Sequence, residues 1–149
     1  MAISRGAGTE IIRSASFENI DSTETKIIIG EQHHIYTILS MVIYCVTLNA
    51  TTDSFSMYLY GYDAKAGTTD QGHLLLNTVI AVGDTFVWSD KFSMNGFEPT
   101  NFSGPMDDVT KQNAVADQGS AVPQYIAVES THANDQYEMV VTYIDQNNA

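Results

Sequence analysis

The residues of this chain that could do chemistry are four histidines, one cysteine and scattered acids. His33 and His34 are adjacent, and neighbours along a strand point to opposite faces, so they cannot easily bind one metal ion. We expect a loop-exposed pair there, with His73 and His132 far away in the sequence. Cys45 lies in an apolar run, which favours a small buried side chain over a nucleophile. These residues predict neither a catalytic site nor a metal site.

The motifs that hold phosphates or activate a serine are missing from the sequence. It contains no GxxxxGK[ST], no GxGxxG after a strand, no GxSxG and no DxDxDG calcium loop. Asp107 and Asp108 follow Pro105 and are explained by the favourable charge of acids at the start of a helix. We therefore expect no enzyme activity, no catalytic residue and no cofactor.

Length and charge narrow the classes of partner. The 149 residues suit one domain, and 44% apolar residues are enough for a core. A net charge of −12 argues against nucleic acid, because phosphate binding needs clustered Lys and Arg. A single cysteine excludes an intrachain disulfide, and Met1–Gly8 lacks the apolar core of a secretory signal, so we expect assembly in a reducing cytoplasm.

An uncharged run from Ile35 to Leu48 predicts the central element of the fold. Its apolar residues recur at a spacing that a buried helix would also show. Half of the fourteen residues are β-branched, however, which favours a strand. Apolar residues on both faces predict a strand that is covered on both sides and bends near Ser40. The run is too short to cross a bilayer as a helix, and we expect no membrane partner.

Alternating patterns and turn signals predict about six further strands and one helix. Pro105, the two aspartates and Gly119 predict a short helix over Met106–Asp117, while residues 63–72 predict an exposed loop. The fold class is therefore mainly β: an antiparallel β-sandwich or jelly-roll-like single domain with one short inserted helix. The other predicted strands are Thr25–Ile29, Ser54–Tyr62, His73–Val82, Thr85–Ser89, Tyr125–Glu129 and Tyr137–Ile144.

Residues 1–24 predict an N-terminal arm that precedes a β-sandwich domain over residues 25–149. Two glycines loosen this segment, and its apolar residues follow no clear period, so no strong element is expected. The apolar residues indicate that something holds the arm, either its own domain or a neighbouring subunit. The candidate partner-binding residues of the arm are Arg5, Ile11, Ile12, Arg13 and Phe17.

Aromatic residues supply a second candidate surface. Tyr58, Tyr60 and Tyr62 occupy alternate positions on one face of a strand, and Trp88 lies on another strand. An exposed row of rings would suit sugar stacking or a protein interface. A covered row would be core or subunit contact, which we favour for these four possible interface aromatics.

Several runs of the sequence resemble one family. They are QHHIYTIL at 32–39, NAT at 49–51, GYDAKAGTT at 61–69, DTFVWSDKF at 84–92, NGFEP at 95–99 and VTYIDQN at 141–147. This order of strand and turn features is similar to small virion structural proteins of tailed bacteriophages, especially marine phages of cyanobacteria. The resemblance implies a β-sandwich that coats or joins part of the particle, most often as a capsid decoration or cement protein.

The same resemblance implies partners and a location. It implies binding to the major capsid protein or another virion protein, homo-oligomerisation with a trimer favoured, and residence in the virion after assembly in the host cytoplasm. It supplies no catalytic residues. A position in the neck, tail or baseplate stays open, as does a glycan-binding host-attachment module that uses the surface aromatics.

Overall fold

The structure is a computed structural model that describes residues 8–63, 66, 68–99, 109–110, 112–113 and 121–147. Antiparallel strands dominate this part of the chain. In chain order they are β1 (Thr9–Ile20), β2 (Thr25–Ile29), β3 (His34–Thr47), β4 (Phe55–Asp63), β5 (Thr68–Thr78), β6 (Thr85–Trp88), β7 (Phe92–Asn95), β8 (Phe97–Pro99), β9 (Ala121–Pro123), β10 (Tyr125–Ser130) and β11 (Gln136–Asn147).

The strands form two main sheets with nested pairing. The five-stranded sheet has the order β1-β11-β3-β6, and β7 continues beside β3 where β6 ends. The four-stranded sheet has the order β2-β10-β4-β5, and β8 pairs with β9 in a small third sheet. In this nesting β1 pairs with β11, β2 with β10, β3 with β6 and β4 with β5. This nesting across two sheets is the topology of a jelly roll, which confirms the predicted fold class.

The core lies between the inner faces of β3 and β11 on one side and β4 and β10 on the other. Met41 and Ile43 of β3 and Val141 of β11 are fully buried, as are Met57 of β4 and Val128 of β10. These residues alternate with outward-facing neighbours, as the two-residue period of a strand requires. The predicted central strand is confirmed as β3.

A bulge accommodates the length of β3. Its register against β11 passes from Ser40 opposite Thr142 to Ile38 opposite Tyr143, which leaves Leu39 as the extra residue. A bulge bends its strand and increases the local twist. It therefore lies where the sequence predicts a bend.

The structure corrects two predictions about loose segments. Residues 9–20, where no strong element was expected, form edge strand β1 along almost the whole of β11. The loop predicted over residues 63–72 ends at Thr68, where β5 begins. In both places pairing with a neighbouring strand outweighs the weak local pattern. Most of the predicted helix over 106–117 lies outside the described residues, and residues 109–110 and 112–113 within it are helical.

Candidate functional site

A buried carboxylate ties three strands together at one end of the five-stranded sheet. Asp145 of β11 is 1% exposed; its Oδ2 lies 3.2 Å from Arg13 Nη1 of β1, and its Oδ1 lies 2.6 Å from His34 Nδ1 at the start of β3. The other ring nitrogen of His34 lies 3.4 Å from a carboxylate oxygen of Glu31. We call Arg13, Glu31, His34 and Asp145 the Asp145 cluster. The prediction that His34 is loop-exposed is wrong, because its side chain is 12% exposed.

A close backbone approach positions this cluster. Gly96 donates its N–H to the His34 carbonyl at 2.7 Å, and a Cβ at Gly96 would lie 1.9 Å from the Glu31 carbonyl oxygen. No side chain can occupy that space, so only glycine fits there. The Glu31 N–H also donates to the Tyr36 hydroxyl at 3.1 Å, which fixes the turn before β3.

The chemistry available to the Asp145 cluster is limited. An aspartate bound to a histidine resembles two thirds of a catalytic triad. A triad needs a hydroxyl or thiol at the second ring nitrogen, and in the described part of the chain that nitrogen faces Glu31. Both oxygens of Asp145 are engaged, one by Arg13 and the other by His34, so the cluster holds β1 to the sheet. The prediction that the chain is not an enzyme stays a prediction.

A second polar cluster lies at the opposite end of the fold. Asp135 accepts backbone N–H groups of Asn49 at 2.8 Å and His132 at 2.9 Å. Burial alone would raise the pKa of Asp135, but these donors hold it below its ordinary value. Asp53 accepts the N–H of Ala50 in the same way, so the two buried carboxylates fasten loops. No group of three or more metal-ligating side chains occurs among the residues that the structure describes.

Cys45 lies in the core beside that cluster, as predicted. It is fully buried next to Tyr137, and burial raises the pKa of its thiol. A thiol with a raised pKa forms little thiolate, which is the reactive species.

The structure distributes the candidate arm residues over both faces of β1. Phe17 packs partly buried against the core, and Ile11 is half-buried. Arg13 is engaged with Asp145, whereas Ile12 points outwards with 72% of its surface exposed. Arg5 lies outside the described residues. Their role in binding a partner stays a prediction, and Ile12 is the apolar one that is free for it.

The tyrosines cover the outer face of the four-stranded sheet. Tyr60 of β4 stacks on Tyr125 of β10 with ring centroids 4.8 Å apart and ring planes 10° from parallel. The ammonium group of Lys26 lies 4.2 Å from the centroid of the Tyr125 ring, and Gly72 lies against the Tyr60 ring. Tyr58 adds a tilted contact with Tyr60 at 5.8 Å.

This stack leaves little ring surface for a ligand. The rings of Tyr60 and Tyr125 each have neighbours that occupy their faces, and sugar stacking needs an open ring face. Trp88 belongs to the other sheet, where it packs partly buried against the core and donates its indole N–H to the Asp90 carbonyl at 2.7 Å. Tyr62 lies beyond Gly61, and its N–H donates to Glu98 at 2.9 Å. The four aromatics therefore do not form one surface, and their interface role stays a prediction.

An apolar row crosses the outer face of the five-stranded sheet. Val140 of β11 pairs with Val42 of β3, which pairs with Val87 of β6. These valines are 40%, 40% and 57% exposed, although their neighbours along each strand are buried or half-buried. Tyr44 lies one row further along the strands and is also exposed. We call Ile12, Val42, Tyr44, Val87 and Val140 the open face.

A shallow depression of about 280 Å³ lies beside the valine row. It forms next to the bulge that shifts the register of β1 after Phe17, and Glu18 and Glu138 border it. The sequence analysis missed this surface because it expected both faces of β3 to be covered within the domain. Val140, an exposed apolar residue between buried Met139 and Val141 in the alternating run Tyr137–Ile144, carried the signal for it.

Comparisons with known proteins add a likeness of shape. No protein-family model and no curated protein matches the chain. A chain of the Bacillus endospore appendages, described as disulfide-linked pili, is 10% identical with a TM-score of 0.45, over 100% of this chain and 97% of that one. A chain of infectious bursal disease virus, Gx strain, is 5% identical with a TM-score of 0.42, over 97% of this chain and 34% of that one.

A chain of T=1 particles derived from infectious bursal virus gives similar values. It is 6% identical with a TM-score of 0.41, over 99% of this chain and 38% of that one. The present chain thus spans about a third of the length of the two viral chains. These neighbours come from a pilus and from viral particles, but TM-scores below 0.5 carry no functional argument.

None of the helical residues that the structure describes belongs to a helix with the length and hydropathy to cross a membrane.

We predict that Asp145→Ala lowers the free energy of unfolding by about 3 kcal/mol, because it leaves the Arg13 guanidinium and the His34 ring without their buried partner. Arg13→Ala should cost only about 1 kcal/mol, since Arg13 is half exposed. Glu10→Ala on the exposed face of β1 is the matched control, with an expected change below about 0.5 kcal/mol. Urea unfolding followed by circular dichroism measures all three. Equal midpoints for Asp145→Ala and Glu10→Ala would contradict the assigned role of Asp145.

We predict that stability falls in strongly alkaline solution partly through Tyr36. Burial raises the pKa of Tyr36 to about 12, against about 10 in an unfolded chain. The unfolded state then loses the phenolic proton first, so it binds fewer protons and the free energy of unfolding decreases between about pH 10 and 12. Tyr36→Phe should show a shallower decrease in urea titrations over this range. If the free energy of unfolding of Tyr36→Phe fell as steeply with pH as that of the wild type, the predicted contribution of Tyr36 would be wrong.

Proposed function

We propose that this chain is a structural subunit of a bacteriophage virion, most simply a capsid decoration or cement protein. One observation carries the proposal: the open face exposes a row of apolar side chains across three strands of a jelly roll. Contiguous exposed apolar residues with polar neighbours mark sites of protein contact. The polar clusters of the described residues, in contrast, bind other groups within the fold.

The distribution of polar groups supports a structural role. Asp145 binds Arg13 of β1, and Asp53 and Asp135 accept hydrogen bonds from backbone N–H groups of loops. The buried carboxylates of the described residues therefore stabilise the fold. Jelly rolls occur in viral capsids but also in lectins and cupins, so the fold alone does not decide. The stacked tyrosines count against the lectin reading, because their ring faces are occupied.

The charge of the chain suits the outside of a particle. A net charge of −12 repels the packaged genome and opposes nonspecific aggregation of the subunits. We propose that the subunit self-associates and that it binds the major capsid protein through residues 1–8, with binding repeated over a symmetric shell so that a modest contact per copy is sufficient. The protein would then reside in the virion after assembly in the host cytoplasm. A neck, tail or baseplate position is the alternative within the same class.

We predict that residues 1–8, which include Arg5 and precede β1, are needed for binding to the particle. Deleting them leaves β1 and the Asp145 cluster in place, so the truncated chain should fold with unchanged circular dichroism. It should fail to sediment with purified particles of the encoding phage from which this subunit has been removed genetically. The full-length chain should sediment with them.

Deleting residues 148–149 at the other end is the matched control, and this variant should bind like the full-length chain. If the chain that lacks residues 1–8 still binds, residues 1–8 do not attach the subunit to the particle. The proposed function itself would fail if mass spectrometry of purified wild-type particles did not detect this chain.

A further inference from the structure

The central strands carry apolar residues on a face that the described residues do not cover. The pattern of β3 predicts cover on both sides, yet Val42 remains 40% exposed while Met41 and Ile43 beside it are fully buried. Val140 of β11 is in the same position between Met139 and Val141. A second sheet packs on the inner face, so the valine row on the outer face of the five-stranded sheet is open to a cover from outside the described residues.

We propose that this cover is a second copy of the chain, so that two subunits pack the outer faces of their five-stranded sheets against each other about a two-fold axis. The inference deepens the proposed function and rests on it in one respect, namely that the subunit self-associates. It assigns the contact to the open face and fixes its symmetry as two-fold.

The area of this face is sufficient for a specific dimer. Four strands about 4.8 Å apart, followed over about ten residues of about 3.4 Å each, give a face of roughly 19 by 34 Å. Two copies would together bury about 1,200 Å², which is the lower limit for specific and stable protein interfaces. Face-to-face sheets also pack at the ordinary distance of about 10 Å, so the contact continues the layering of the sandwich.

The shape of this face is self-complementary, because it carries both a protruding side chain and a depression. Ile12, exposed to 72%, lies two side-chain rows from the valine row on one side, and the depression lies on the other side. In a two-fold contact, a residue i of one copy that contacts residue j of the other is matched by residue j of the first copy contacting residue i of the second. An axis that runs along the face between the rows of Val140 and Thr142 brings each Ile12 over the depression of the other copy.

The same rotation avoids a clash of charges. Glu18 and Glu138 border the depression, and both copies carry them. Under this axis the two glutamates face the row of Ile12 and Ile144 in the other copy rather than its carboxylates. Like charges directly opposite one another would destabilise the pairing. The acidic rim is therefore compatible with a second copy of an acidic chain.

The test is the mass of the purified full chain by light scattering after size exclusion. We expect the wild type at twice 16.3 kDa, and Val42→Glu and Ile12→Glu at 16.3 kDa with at least tenfold weaker association. Leu74→Glu is the matched control, since Leu74 is 53% exposed on the other sheet, and it should remain dimeric. Circular dichroism should be unchanged in all variants, because the replaced side chains are already exposed.

A cross-linking variant keeps the test valid if a glutamate disturbs folding. Val140→Cys lies beside the proposed axis and should form a covalent dimer with a short bismaleimide, whereas Leu74→Cys should not. A monomeric wild type, a dimer unaffected by Val42→Glu, or three times 16.3 kDa would each overturn the pairing. The last result would support the trimer that the family resemblance implies. Because only the purified chain is used, these failures are distinguishable from a failure to find the protein in particles.

Discussion

The pairing of β3 with β11 is the constraint on which the rest of the structure depends. Their register runs from Thr47 opposite Gln136 to His34 opposite Asn147. The inward side chains of both strands form one side of the core. Fully burying one such apolar side chain contributes about 1.5–3 kcal/mol to the free energy of folding. A slip of one residue would turn every one of them to the outside, so the apolar pattern fixes this register strongly.

The other layers follow from that pair. β1 joins the free edge of β11, and Arg13 then reaches Asp145, which β11 presents between β1 and His34 of β3. The four-stranded sheet closes over the inner faces and carries stacked tyrosines on its outer face. Among the described residues, the outer face of the five-stranded sheet carries the valine row instead, and this row leads to the proposal of a contact between copies.

Much of the fold could be predicted from the sequence because its strands carry strong patterns. β2, β3, β4, β10 and β11 were predicted within a few residues of their observed bounds, since alternation and β-branched residues are local signals. β1 was missed because its outward residues other than Ile12 are polar and its inward residues are weakly apolar, so its stability comes from pairing with β11 and from the contact between Arg13 and Asp145. The Asp145 cluster joins residues 132 positions apart along the chain, and no local spacing encodes such a contact.

Native-state hydrogen exchange tests the central claim most directly, because it ranks the opening free energy of each strand. If β3 and β11 organise the fold, the amides of residues 41–45 and 137–141 should exchange most slowly and only through global unfolding. Edge strands β1 and β5 should exchange faster through local opening. Faster exchange in β3 and β11 than in β4 and β10 would contradict the account, because the four-stranded sheet would then be the more stable unit.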